Sequence, residues 1–396
     1  MIESPSRSSR PELSGALLTT MAIASGAAVA NLYYNQPMLA DMGRTFHATA
    51  TQIGLAATAT QIGYAAGMPV FVPLGDFIER RRLVVSLFVA VACSLAAAAM
   101  ARNLTWLIAA SFFIGLTTVI AQIMIPLATE LASPEGQGRT IGIILSGVLL
   151  GALLARTLSG FVSGHSSWRT MYWIAAAASL VFAVLLQLRL PEIHAHSHIT
   201  YRQLMRSIWA IVRELPKLRQ VSFVAGMFMA SFSAFWTTLV FLLETPPYHY
   251  GSQTAGLFGV IGAVGASVAP ISGRLSDRRS PRFVVRIAIV TVLAAFVVFW
   301  EFGYELWGLI IGVILLDAGV QAAQVANQTR VLRLRPDARN RVNTVYMICY
   351  FSGGSVGSLV GASVWSRWHW TGVCAAGIAF MLAAFGALLA RGPSET

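Results

Sequence analysis

The sequence predicts an all-α membrane protein with twelve transmembrane helices in two pseudo-symmetric six-helix bundles. Three observations predict it. The chain has 396 residues, 56% hydrophobic and only 11% charged, where a soluble domain carries roughly 25% charge. Its landmarks occur twice: Pro134–Arg139 returns as Pro336–Arg341, Leu74–Asp76 as Leu275–Asp277, and Trp168 as Trp370. One shared offset means a duplicated unit, and a duplicated apolar unit suits a transporter whose two halves rock about a central site. Most of the 28 Lys and Arg fall in alternate connections. Only Arg44, Arg102, Arg169 and Arg367 lie in the opposite set, which predicts cytoplasmic termini in a cell inner membrane.

The apolar runs place spans near 14–39, 50–74, 83–101, 105–131, 139–163 and 169–190, then 219–244, 253–275, 283–302, 306–331, 342–365 and 370–390. Each has about 20 residues or more, enough to cross ~30 Å of hydrocarbon as a helix. The first bundle is expected over residues 1–190, a cytoplasmic central loop over 191–218, and the second bundle over 219–396. Arg7 and Arg10 before span 1, with Ala28-Val29-Ala30 inside it, imitate a cleavable leader, but apolar sequence continues past Pro37 and argues against cleavage. In the central loop, Leu204, Ile208 and Ile211 alternate with Arg202, Arg206 and Arg213, the pattern of an amphipathic helix on the cytoplasmic leaflet. His194, His196 and His198 read as solvated linker in preference to a metal site. Cys93, Cys349 and Cys374 sit singly in apolar spans and suggest neither a disulfide framework nor a metal site.

Polar residues inside hydrocarbon must face protein or water. Span 1 carries Asn31, Tyr34 and Asn35; span 4 carries Ser111, Thr118 and Gln122; span 7 carries Ser233, Trp236 and Thr237; span 10 carries Asp317, Gln321, Gln324 and Gln328. Each set keeps to one helical face. These are the first and fourth spans of each half, so a central aqueous cavity is expected between the halves. Span 11 adds Asn343, Tyr346 and Tyr350 on one face, as cavity aromatics or as packing. Asp317 lies near mid-membrane with no cation at helical reach on its own helix. It is a candidate proton-coupling or substrate-cation site, or a structural partner of Arg156 in span 5. Arg156 itself either extends outward, binds an anionic group, or pairs with Asp317. Glu130 and Glu244, near span ends, are further proton-coupling candidates.

The connection after span 8, Gly273-Arg-Leu-Ser-Asp277-Arg278-Arg-Ser-Pro-Arg282, resembles the G-x-L-x-D-R-x-G-R-R signature of the major facilitator superfamily. So does the connection after span 2, with Asp76, Arg80 and Arg81. Val72, Phe77, Glu79 and Ser280 depart from that pattern. The resemblance covers nearly the whole chain and implies the major facilitator fold. It also implies that Asp76, Arg80, Arg81, Gly273, Asp277, Arg278 and Arg282 form a cytoplasmic gate that latches when the cavity faces outward. Physically, Asp76 would cap the positive N-terminus of span 11, and Asp277 that of span 5.

Within that superfamily the chain resembles the proton-driven drug and metabolite efflux branch, although it lacks the Gly-Pro of that branch's span 5 motif, the arginine of span 4 and the carboxylate of span 1. Proton-coupled export by alternating access is therefore expected for a small organic solute or drug. A proton-coupled importer and a non-transporting sensor are the alternatives. The composition predicts no enzyme, no nucleic-acid partner, no metal and no cofactor beyond the proton gradient; the chain is expected to act as a monomer in the bilayer. No G-x-x-x-x-G-K-[ST] loop occurs, so ATP is not the expected energy source.

Overall fold

The computed structural model describes residues 14–133, 136–192, 201–335 and 338–390. The landmarks at 134–135 and 336–337 and the three linker histidines lie outside the described residues.

Fifteen helices follow one another in the described chain: α1 (Gly15–Ala30), α2 (Asn35–Phe46), α3 (Ala50–Leu74), α4 (Arg80–Ala99), α5 (Leu104–Thr117), α6 (Ile120–Leu131), α7 (Gln137–His165), α8 (Trp168–Arg189), α9 (Tyr201–Glu214), α10 (Pro216–Glu244), α11 (Ser252–Ala266), α12 (Ala269–Arg278), α13 (Pro281–Phe302), α14 (Leu306–Leu334) and α15 (Arg339–Leu389). Among the described residues, eleven helical stretches are long and apolar enough to cross a membrane. The last of these has 51 residues, about twice what a bilayer needs. At His369 the backbone swings to φ 48°, ψ −142°, and the chain reverses there. Two spans therefore meet end to end in α15, which gives twelve.

Three spans are interrupted. Span 1 is α1 and α2 joined through a turn at 31–34, span 4 is α5 and α6 joined at 118–119, and span 8 is α11 and α12 joined at 267–268. Proline explains two of the breaks. Pro37 stands in the first turn of α2 and Pro270 near the start of α12, and a proline cannot donate to the carbonyl four residues back. Span 1 also runs on to Phe46, past the expected end at 39, because α2 continues beyond the break.

Small residues set the packing, as lipid supplies no hydrophobic drive between helices. Gly147 and Gly151 of span 5 press on Ala22 and Gly26 of span 1. In the second half, Gly353, Gly357 and Gly361 of span 11 press on Gly226, Ala230 and Ala234 of span 7. The two halves thus repeat one helix pairing. Long apolar side chains such as Leu188, Val290 and Leu154 point outward, as a lipid-facing surface requires.

Contacts between the halves gather at mid-depth and at the end away from the basic loops. Span 5 crosses span 8 where Gly160 meets Gly256. Span 2 meets span 11 where Gly54 faces Ala362 and where Thr51 Oγ1 donates to Ser366 Oγ at 2.7 Å. Arg44 pairs with both Asp41 and Glu244 at the same end. At the basic end, Arg80 pairs with Asp76 and Glu130 and Arg81 with Glu79 within the first half, and Arg81 also pairs with Glu192 at the start of the central loop. Among the described residues, the Arg44–Glu244 and Thr51–Ser366 contacts join the halves at the end away from the basic loops.

Candidate functional site

The polar groups of the first and fourth spans of each half serve different ends. Asn31 Nδ2 donates to Thr118 Oγ1 at 3.2 Å, and Thr118 Oγ1 donates to the Ala28 carbonyl at 3.0 Å. Both residues stand at the breaks of spans 1 and 4, so this pair ties two interrupted helices together. Asn35 Nδ2 donates to Thr60 Oγ1 at 3.1 Å, and Tyr34 is buried. Thr237 Oγ1 donates to Ser358 Oγ at 3.0 Å, while the Ser233 hydroxyl is buried and unpaired.

Toward the basic end the polar groups are only partly buried. Gln122 Nε2 donates weakly to the Tyr64 hydroxyl, Tyr350 donates to Gln324 Oε1 at 3.3 Å, and Gln328 Nε2 donates to Asn343 Oδ1 at 3.2 Å. Gln321 is half-buried one turn from Asp317, and the Tyr346 hydroxyl is buried without a partner. Along span 10 Asp317 is buried, while Gln321, Gln324 and Gln328 are each partly exposed.

The chemistry concentrates at mid-depth. Arg156 and Asp317 are, among the described residues, the only buried guanidinium and the only buried carboxylate. Arg156 does not reach outward to the membrane surface. Its Nε donates to Gln36 Oε1 at 2.7 Å and its Nη1 to the Ala152 carbonyl at 3.3 Å. Three rings enclose the guanidinium: Trp236 at 4.2 Å, Tyr33 at 4.5 Å and Phe232 at 5.3 Å from the ring centroids. A desolvated cation over an aromatic face gains about 2 kcal/mol, against a burial cost of several kcal/mol.

Asp317 feels the field of Arg156, yet no direct ion pair forms between them. Trp236 Nε1 lies within reach of the Asp317 carboxylate but makes no well-directed hydrogen bond. Arg156 Nη2, Trp236 Nε1 and Asp317 Oδ2 are all buried and unpaired. An unpaired buried polar atom costs about 1–3 kcal/mol, and more if charged. Three such atoms gather in one cluster where spans 5, 7 and 10 meet.

Span 8 brings the two charges together. Its glycines recur every three residues: Gly256, Gly259, Gly262 and Gly265. At 100° per residue, a period of three turns the glycine face by −60° per step. The stripe therefore begins against span 5 and ends against span 10. Gly256 lies on the Arg156 carbonyl, and a Cβ at Gly259 would stand 3.0 Å from Arg156 Cβ. A Cβ at Gly262 would stand 3.2 Å from both Asp317 oxygens. This stripe, with Tyr33, Gln36 and Phe232, is absent from the expected site. The three-residue glycine repeat is visible in the sequence; the aromatic enclosure is not, because its rings come from two other spans.

The remaining candidates lie elsewhere. Glu130 pairs with Arg80 at the basic end and Glu244 with Arg44 at the far end. Burial pushes the Asp76 carboxyl up from its ordinary value, and Arg80 beside it pulls it part of the way back. Asp76 lies 3.5 Å from Arg80 of its own half. A Cβ at Gly273 would stand 3.9 Å from Val325 Cγ1, Arg278 is exposed and Arg282 is partly buried. The side chain of Asp277 lies outside the described residues.

This arrangement is similar to known transporters. The nucleoside transporter NupG, in a D323A variant, superposes with a TM-score of 0.75 at 14% identity, over 94% of this chain and 99% of that one. A bacterial homologue of the human lysosomal transporter Spinster, inward-facing and occupied, superposes with a TM-score of 0.69 at 15% identity, over 94% of each chain. The protein named "Uncharacterized transporter YgaY" of Escherichia coli O157:H7 is 41% identical over 371 residues, 94% of each chain. A sequence model described as Major Facilitator Superfamily matches residues 21–358. Twelve apolar spans, the repeated helix pairing and these matches together establish that the chain belongs to the Major Facilitator Superfamily and is a multi-pass transporter of that type.

Proposed function

We propose that this transporter couples the movement of a small organic solute to that of protons by alternating access, with Asp317 as the proton carrier. The carrying observation is the mid-depth cluster: one buried carboxylate within the field of one buried guanidinium, on opposite halves, each with an unpaired atom. A carboxylate there changes the charge of the interface each time it takes or loses a proton, and an interface charge biases which end opens. Glu130 and Glu244, already held by arginines at the two ends, serve the gates in this reading. The two bundles, joined through the central loop, rock as units in an inner membrane with cytoplasmic termini, and in this reading the cleft between them opens alternately to either side.

In the exporting antiport reading, which follows from the efflux-branch resemblance, solute and proton compete for Asp317, and the solute leaves as protons enter. A second reading, cotransport of proton and solute, is favoured by the unpaired Nη2 of Arg156. Purified protein in liposomes with a luminal pH dye separates the two. External solute alkalinises the lumen under antiport and acidifies it under cotransport, relative to protein-free liposomes. The proposal expects one of these responses from the wild type within a panel of monocarboxylates, organic cations and sugars, and neither from Asp317→Asn. An equal response from Asp317→Asn would remove the proton from this residue.

A further inference from the structure

We infer that the solute is a small organic carboxylate, held by Arg156 Nη2 and Trp236 Nε1, and that it binds together with the proton. The inference rests on the proton-carrier reading of Asp317 and adds the class of solute to it.

The donors select an anion. Arg156 can offer five N–H bonds. Its Nε edge is taken by Gln36 and its Nη1 by the Ala152 carbonyl. Tyr33, Phe232 and Trp236 lie over the guanidinium. What remains is the Nη2 edge, in the plane where a carboxylate oxygen accepts most strongly. Trp236 supplies the second donor, its free Nε1. Asp317 Oδ2 is an unpaired acceptor in the same cluster, so the protein's own carboxylate stands where a solute carboxylate would go.

Charge then fixes the stoichiometry. With Asp317 ionised the cluster is neutral. Protonating Asp317 alone leaves a lone buried cation, and adding an anion alone leaves an excess negative charge. Each is costly in a low-dielectric interior. One proton and one monoanion together restore neutrality, so each promotes the binding of the other, and by linkage the effect is reciprocal. The other groups facing Asp317 do not disturb this count. Span 1 brings Tyr33 and span 11 brings Tyr350, both neutral phenols, and span 7 brings Trp236. Span 8 brings only Gly262 and Gly265, and Val292 and the Ala288 carbonyl of span 9 pack nearby on Gly319.

The route in runs past Gln328, Gln324 and Gln321, each partly exposed, to the buried Asp317. The glycines of span 8 close the back of the site, which limits the solute to a small molecule at its acidic end.

The test uses the purified full-length chain in detergent, titrated with monocarboxylates of two to ten carbons, their primary amides and matched alkylammonium ions, with thermal unfolding as readout from pH 5.5 to 8. Stabilisation by carboxylates but not amides or ammonium ions is expected. Carboxylate affinity should fall about tenfold per pH unit once binding must bring its own proton. Asp317→Asn, which mimics the protonated state, should keep carboxylate binding and lose its pH dependence. Arg156→Lys keeps the charge but loses the planar edge, and should bind at least tenfold more weakly. In liposomes the carboxylates that bind should acidify the lumen. Stabilisation by ammonium ions or amides with none by carboxylates, or carboxylate binding that ignores pH in the wild type, would overturn the inference and leave proton coupling standing. If no probe changes luminal pH in the wild type, the proton-carrier reading falls as well.

Discussion

At the residue scale, Asp317 and Arg156 are each buried, and neither is fully satisfied. A structural ion pair would close on itself, because separating two charges in a dry interior costs more than joining them. Here the guanidinium is held by Gln36 and three rings, short of the carboxylate. Asp317→Asn should therefore fold, since Asn keeps the shape while removing the charge, and its solute-dependent proton response should fall at least tenfold. Fluorescence of the luminal pH dye reads this. Trp236→Phe keeps a ring over Arg156 but removes the free Nε1 donor. It should weaken solute binding several-fold without changing expression, as a thermal-shift titration would report.

At the element scale, glycine placement decides which helices touch. Gly353, Gly357 and Gly361 match Gly226, Ala230 and Ala234 at steps of four, so two backbones approach along a whole face. A methyl group at Gly357 would overlap the Ala230 carbonyl. Gly357→Ala should destabilise the folded protein by about 1–3 kcal/mol, seen as a fall of several degrees in the unfolding temperature in detergent. Gly386→Ala in span 12 meets nothing within 4 Å and should leave that temperature unchanged. Sequence alone shows these four-residue stripes and implies close packing, but it cannot say which helix lies opposite. The span 8 stripe is the instructive case. Its period of three looks irregular along one helix, and it makes sense only once spans 5 and 10 are seen to pack on successive parts of it.

At the scale of the whole molecule, the halves repeat their helix pairings but not their charges. Arg156 of span 5 has Ser358 as its counterpart in span 11, where it accepts a hydrogen bond from Thr237. The span 5–span 8 interface thus carries the ionic chemistry, while the span 2–span 11 interface is neutral. At the end away from the basic loops the halves are held by Arg44–Glu244, Thr51–Ser366 and the Gly160–Gly256 crossing. Alternating access requires these contacts to part in each cycle. Thr51→Cys with Ser366→Cys, on a background carrying Cys93→Ala, Cys349→Ala and Cys374→Ala, should cross-link on oxidation and abolish transport, with recovery on reduction. Transport by the oxidised, fully cross-linked protein would show that this seam does not open.

The sequence by itself determined the twelve spans, the internal repeat and the family. These follow from local apolarity, from glycine and proline placement, and from motifs contiguous in the chain. It also determined that spans 1, 4, 7 and 10 carry polar faces, because helical periodicity is a local property. Only the tertiary structure decided which of those polar groups are free. Asn31 and Thr118 satisfy each other across two broken helices, while Glu130 and Glu244 meet arginines far away in sequence. Tyr33, Phe232 and Trp236 converge on Arg156 from spans distant in the chain. Hydrogen bonds and burial between spans depend on which faces meet, and that is set by packing across the whole bundle and not by any single helix.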